Sequence, residues 1–190
     1  VMQLGDARLW FDEWAADQRS DYAERTDLFA RQLIAAVRAG EADETVVVGH
    51  SGGGATALAI VARALEIEPA IAHSRRVTLL TLGSLLPLIA CYPQARTTRD
   101  GIRRVAMDKT VAWIDCQAKA DILNFFGTHP VRDVGVEVEP GWPNPTVWKI
   151  SIKSLVAPRQ YRRMCLSPFR THFQYIMAND HVGDNGYDYF

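Results

Sequence analysis

Residues 45–48 (Thr-Val-Val-Val) run directly into Gly49-His50-Ser51-Gly52-Gly53-Gly54-Ala55, and this junction constrains the fold more than any other stretch of the chain. A short run rich in β-branched residues suits a strand buried on both faces of a parallel sheet. The residues after the glycines, 56–65 (Thr-Ala-Leu-Ala-Ile-Val-Ala-Arg-Ala-Leu), are mostly good helix formers, with Ala57, Ile60, Val61 and Ala64 at helical spacing. The chain must therefore turn sharply from strand to helix with Ser51 at the apex. Such a turn strains the apex backbone and brings strand and helix so close that glycine is expected two positions before and two after it, at Gly49 and Gly53.

Gly49-x-Ser51-x-Gly53 is the spacing of a nucleophile elbow. Chance places these three residues at this spacing in roughly one chain in twenty of this length, and the strand before and helix after lower that figure further. A serine hydroxyl is a weak nucleophile at neutral pH and needs a histidine base oriented by an acid. On α/β scaffolds the chain order is serine, acid, histidine. Asp115 and Asp121 compete for the acid: Asp115 ends an expected strand, and Asp121 opens an Asp-Ile-Leu turn six residues on. No carboxylate occurs between residues 77 and 99, so the preceding strand cannot supply one. For the base, His172 follows the last expected strand at a loop-to-helix junction, and His181 in a turn-rich segment is the alternative. His73 and His129 read as surface or packing residues. His50 is expected to pack or to orient the turn, with its ring pointing away from the nucleophile.

The pattern elsewhere is one of strands separated by helices. Residues 9–39 read as helical, with Leu28, Phe29, Leu33, Ile34 and Val37 in register and Gly40 as the stop. Trp10, Phe11 and Trp14 form an aromatic packing cluster. Residues 76–82 form a second strand ending at Gly83-Ser84, and 85–92 a short helix cut by Pro93. A third strand opens at Met107 or Asp108 and runs to Asp115, and 147–152 form a fourth. Between them 131–145 is loop, with at most an extended piece at 134–138. Alternation of this kind predicts an α/β fold, a parallel sheet with flanking helices in three layers, forming a single domain over 1–190 with ligands at the carboxyl ends of the strands.

Composition excludes several function classes. Lys plus Arg total 21 against 22 Asp plus Glu in 190 residues, which gives no electrostatic case for nucleic acid. The clusters Arg103-Arg104 and Arg159-Gln160-Tyr161-Arg162-Arg163 read as solvated faces, the second lying near His172. The longest uncharged stretch, 77–95, is broken by prolines and polar residues and suits no membrane span. Cys91, Cys116 and Cys165 are odd in number with no Cys-x-x-Cys, so reduced, buried thiols are expected rather than disulfides or zinc. That usage, with no visible signal peptide, points to the cytoplasm. No His-Glu-x-x-His, EF-hand or Gly-Lys-Ser/Thr motif is present, so no metal or other cofactor is expected.

The run 46–55 resembles the Gly-His-Ser-x-Gly-Gly-Ala elbow of lipases and esterases in the α/β-hydrolase superfamily, with class-three lipases looking closest. The resemblance extends to the Gly83-Ser84 pair, to Asp121-Ile122-Leu123 as the acid turn and to His172-Phe173-Gln174-Tyr175 as the segment of the base. From the elbow to Tyr189 the chain is also similar to uncharacterised bacterial lipase-like proteins with a Trp-x-Asp segment and a terminal Tyr-Asp-Tyr-Phe. The resemblance implies a Ser51, Asp121, His172 triad acting on a small-molecule or lipid ester, with the Gly52 N–H as one oxyanion donor. Gly52 departs from the family, which has a bulky residue there, and the second donor is expected from an upstream loop. The same fold retained as a non-catalytic binding or scaffold module is the alternative. An α/β-hydrolase also needs strands ahead of its elbow strand, so an unpaired apolar edge on that strand and a preceding segment carrying three or four strands are expected.

Overall fold

The computed structural model describes residues 4–73 and 76–181. The expected terminal Tyr-Asp-Tyr-Phe segment lies outside the described residues. In chain order the elements are α1 (Leu4–Ala15), α2 (Ser20–Ala39), β1 (Glu44–His50), α3 (Gly52–Ile67), β2 (Arg76–Leu82), α4 (Leu86–Ala90), α5 (Arg96–Met107), β3 (Val111–Ala118), β4 (Thr146–Ile150), α6 (Ile152–Leu155), α7 (Pro158–Met164) and α8 (Pro168–Phe173). The four strands form one parallel sheet in the order β1-β2-β3-β4.

Sequential parallel strands joined by right-handed crossovers place every connection on one face of the sheet. Connections pack there: Leu58 and Val61 of α3, Ile102 and Val105 of α5, and Val131 and Val134 of the β3–β4 connection share a core with Val77, Leu79, Val111 and Trp113. The elements after β4 cover the carboxyl end of the opposite face, where Ile152, Leu155 and Met164 pack with Leu82, Cys116, Ala118 and Ile150. Alternation along the strands explains this division. In the observed register Val47, Leu79 and Trp113 lie side by side on the first face, and Val48, Leu80 and Ile114 on the second. Toward the amino ends of the strands the second face is less covered, and Val46 and Val48 are each 48% exposed. Among the described residues no strand pairs with the outer side of β1. No described helix is long and apolar enough to cross a membrane.

Several boundaries differ from the sequence reading. The expected helix over 9–39 is two helices, broken at a turn where Asp17 takes a positive φ of 55° and accepts a hydrogen bond from the Thr97 hydroxyl. Gly40 does end α2, in the left-handed conformation with φ 67°. β3 does not open at Met107 or Asp108. Met107 closes α5, and the Asp108 carboxylate accepts bonds from the Thr110 and Val111 N–H groups, turning the chain before the strand starts. β4 stops at Ile150, and Ile152 begins a helix. The possible extended piece at 134–138 is irregular, preceded by a 3-10 turn at Arg132–Val134. All three cysteines are free, but only Cys116 is buried; Cys91 and Cys165 are exposed, each just past the last residue of a short helix. Burial pushes the Cys116 thiol up to about 12, so it is inert at neutral pH.

The elbow glycines divide differently from expectation. A Cβ on Gly49 would lie 2.3 Å from the Gly53 carbonyl oxygen, and one on Gly54 would lie 2.3 Å from Ser84 Oγ. A Cβ on Gly53 would meet nothing within 4 Å. The backbone of residue 53, not its missing side chain, is what crowds Gly49, and the tight helix position is one residue later. Gly49→Ala is expected to cost at least about 1–3 kcal/mol, because backbone cannot step aside. Gly53→Ala is expected to gain about 0.5–1 kcal/mol by removing glycine from a helix. Urea unfolding of the two variants checks this, and an equal loss in both would contradict the assignment.

Candidate active site

Ser51 sits between β1 and α3 with φ 59° and ψ −127°, a conformation that costs a non-glycine residue about 1–3 kcal/mol. Three backbone bonds hold it there: Ser51 N–H donates to Leu82 O, and the N–H groups of Gly54 and Leu85 both donate to Ser51 O. The first N–H groups of α3, including that of Gly52, have no acceptor within the helix and sit where its dipole is positive.

Asp121 lies in the turn after β3 and His172 in α8. The Nδ1–H of His172 donates to Asp121 Oδ2 at 2.8 Å, and the two residues are 3% and 2% exposed. Asp121 Oδ1 accepts from the Leu123 N–H at 2.9 Å. Burial pushes the Asp121 carboxyl up, but the bonds from His172 and Leu123 and the neighbouring imidazole charge outweigh it, holding the group below the ordinary carboxylate range. With Nδ1–H committed to the Asp121 carboxylate, Nε2 is the ring nitrogen left to exchange a proton. That atom is buried and makes no hydrogen bond, so Ser51 Oγ is not bonded to it in this geometry. The ring is brought to the elbow by its neighbour: His50 and His172 have centroids 4.6 Å apart.

The register excludes Asp115 from this group. Asp115 pairs with Thr81 on the face that carries Leu79 and Trp113, whereas His50 pairs with Leu82 on the other. Asp115 is instead buried in a closed network. Trp113 Nε1–H donates to Thr81 Oγ1, the Thr81 hydroxyl and Gln117 Nε2 donate to the Asp115 carboxyl, and Gln117 ties down the backbone at Gly127 and Thr128. Burial pushes the Asp115 carboxyl up, against the hydrogen bonds from Thr81 and Gln117. The network anchors the far end of the loop that begins at Asp121. His181 is exposed and its ring makes no hydrogen bond among the described residues, although its N–H donates to Leu155 O. His73 is exposed, and His129 accepts from the Val131 N–H in the β3–β4 connection. No group of three His, Cys, Asp or Glu side chains among the described residues is placed to hold a metal ion.

Two residues of the site were not assigned roles from sequence. Tyr175 is buried, and its hydroxyl oxygen accepts from the Ala118 N–H and from Asn124 Nδ2, both at 2.9 Å. Burial first, then the Asp121 charge, pushes its phenol far up, keeping it neutral. Gly83, with φ 51°, leaves the space it needs: a Cβ there would lie 2.6 Å from the Tyr175 ring and 3.1 Å from Asp121 Oδ2. In the sequence Gly83 reads as part of the Gly-Ser pair that ends a strand, and Tyr175 as part of the His172 segment.

No protein-family model, curated protein or solved structure matches the chain.

Opposite pH signatures are expected from the two acids. Asp121 has a lowered value in the fold, so it contributes stability above its unfolded value of about 3.9 and loses it as pH falls through the folded one. Asp115 has a raised value, so the fold is favoured by its protonated form and loses stability as pH rises from about 3.9 through the folded one. Denaturant unfolding across acid pH should therefore show Asp121→Asn removing an acid-side loss and Asp115→Asn removing a loss of the opposite slope. Equal slopes in the two variants would contradict the assignment.

Proposed function

We propose that the chain is a serine hydrolase of the esterase or lipase type within the α/β-hydrolase superfamily, acting on a carboxylic ester. The observation that carries this reading is the buried Asp121–His172 hydrogen bond, made by a histidine packed against the residue before a strained Ser51. A four-stranded parallel sheet with flanking helices supports it, with all three groups at the carboxyl ends of the strands, where ligands of such sheets bind.

In the proposed reaction Ser51 Oγ attacks the ester carbonyl carbon while His172 Nε2 takes the hydroxyl proton. Asp121 stabilises the imidazolium through Nδ1–H, and the Gly52 N–H donates to the oxyanion. The tetrahedral adduct collapses with cleavage of the ester C–O bond, and Nε2–H protonates the departing alkoxide. Water then attacks the acyl-serine, giving its proton to His172. The carboxylic acid leaves and Ser51 recovers its proton. The missing Ser51–His172 hydrogen bond requires the two side chains to approach when substrate binds, as catalytic hydrogen bonds often tighten only in the Michaelis complex. The same missing bond favours the second reading, a non-catalytic module of the same fold.

A fluorophosphonate probe and a short-chain aryl ester separate the two. Labelling should be abolished by Ser51→Ala, and kcat should fall by about 10⁴-fold in Asp121→Asn and at least as much in His172→Ala. His181→Ala should stay within about twofold of the parent. Absence of labelling and hydrolysis near neutral pH would favour the binding module.

A further inference from the structure

The residue before the nucleophile makes contacts that the triad alone does not require. His50 Nε2 lies 2.8 Å from the backbone carbonyl oxygen of His172, across 122 positions of sequence. A carbonyl oxygen only accepts, so the His50 proton must sit on Nε2. The His50 ring also lies against the His172 ring, tilted by 40°, and against Phe173, with centroids 5.2 Å apart. His172 is thus held at three points: its Nδ1–H by Asp121, its main-chain carbonyl by His50, and its ring face by the His50 ring.

We infer that His50 is a positioning residue for His172, fixing the backbone and ring plane of the base through the Nε2–H bond to the His172 carbonyl and through ring contact. The inference rests on the hydrolase reading above for its kinetic consequence, but not for its structural content. Elbow geometry makes it physically direct. Ser51 and His50 are adjacent in a backbone that is over-determined, so a bond from His50 ties the base to the same rigid turn that carries the nucleophile. A base held only by Asp121 would be positioned by the 119–130 loop, which is a separate piece of chain. Burial, with the neighbouring His172 charge, holds the His50 imidazole below its ordinary value, while the His172 carbonyl and the Asp121 charge oppose this. The titratable groups around the ring are His172, Asp121 and, at 6.0 Å between ring centroids, Tyr175. A neutral His50 keeps a second cation away from the imidazolium that His172 forms during the reaction. In the sequence His50 reads as packing or orienting the turn, with its ring away from the nucleophile; the structure adds that the ring faces the base.

Two variants divide the contributions. His50→Gln places an amide N–H near the position of Nε2–H but has no ring, and His50→Phe keeps a ring but has no donor. The expected result is kcat for the aryl ester lowered by about 10- to 100-fold in His50→Phe with KM within about threefold, and largely restored in His50→Gln. An activity-independent readout is the low-field Nδ1–H proton of His172 in the NMR spectrum. It should broaden through exchange in His50→Phe and persist in His50→Gln. A third measurement needs no variant: in the parent protein the nitrogen-15 shifts of His50 should report Nε2 protonated and Nδ1 bare. The reverse tautomer would overturn the inference, as would an unchanged kcat and His172 resonance in His50→Phe. If the parent shows no hydrolysis or labelling, the hydrolase reading fails, while the tautomer and the His172 resonance still decide the role of His50.

Discussion

The strained backbone at Ser51 is the constraint on which the rest of the structure depends. A φ of 59° on a residue with a side chain is held only because Leu82, Gly54 and Leu85 bond its N–H and carbonyl from three sides. Those bonds need α3 close both to β1 and to the chain after β2, which requires glycine at 49, where a Cβ would strike the Gly53 carbonyl, and at 54, where it would strike Ser84. The buried face of α3, with Ala55, Leu58, Val61 and Leu65, in turn anchors the helix against the sheet. Burial of each large apolar side chain is worth about 1.5–3 kcal/mol, so a few contacts of this kind suffice to offset the strain. The turn is rigid because the core behind it is.

Parity along the strands then decides which acid belongs to the site. Asp115 and Asp121 are both buried, yet the two-residue repeat of β3 turns Asp115 toward α3 and α5, where it closes a network with Thr81, Gln117 and Trp113. Asp121, beyond the strand, is free of that repeat and reaches the other side of the sheet through a turn that Gly83 leaves open. One carboxyl organises the loop and the other orients the histidine. Their environments push their proton affinities in opposite directions, as the two roles require.

Much of this was legible in the chain itself. The strand before Ser51, the helix after it and the parallel sheet follow from local pattern, because each is set by neighbours in sequence; that pattern left Asp115 beside Asp121 and His181 beside His172, and only the resemblance favoured one of each. What was not legible depends on partners far away. The interchange of Gly53 and Gly54 depends on where Ser84 lies, and the role of Tyr175 depends on Ala118 and Asn124. The start of β3 was misplaced because Asp108 caps a turn that apolar periodicity does not register. The bond from His50 to His172 spans 122 positions, and nothing in the pentapeptide announces it. The breadth of α/β architecture was fixed by pattern, and the site by register.

A crystal structure of the chain after reaction with an aryl alkylphosphonate tests the central claim most directly. The account predicts phosphorus bonded to Ser51 Oγ, the phosphonyl oxygen within about 3 Å of the Gly52 N–H, and His172 Nε2 within hydrogen-bond reach of the serine or leaving-group oxygen. Phosphorus on another residue, or a His172 ring still out of reach of a modified Ser51, would contradict it.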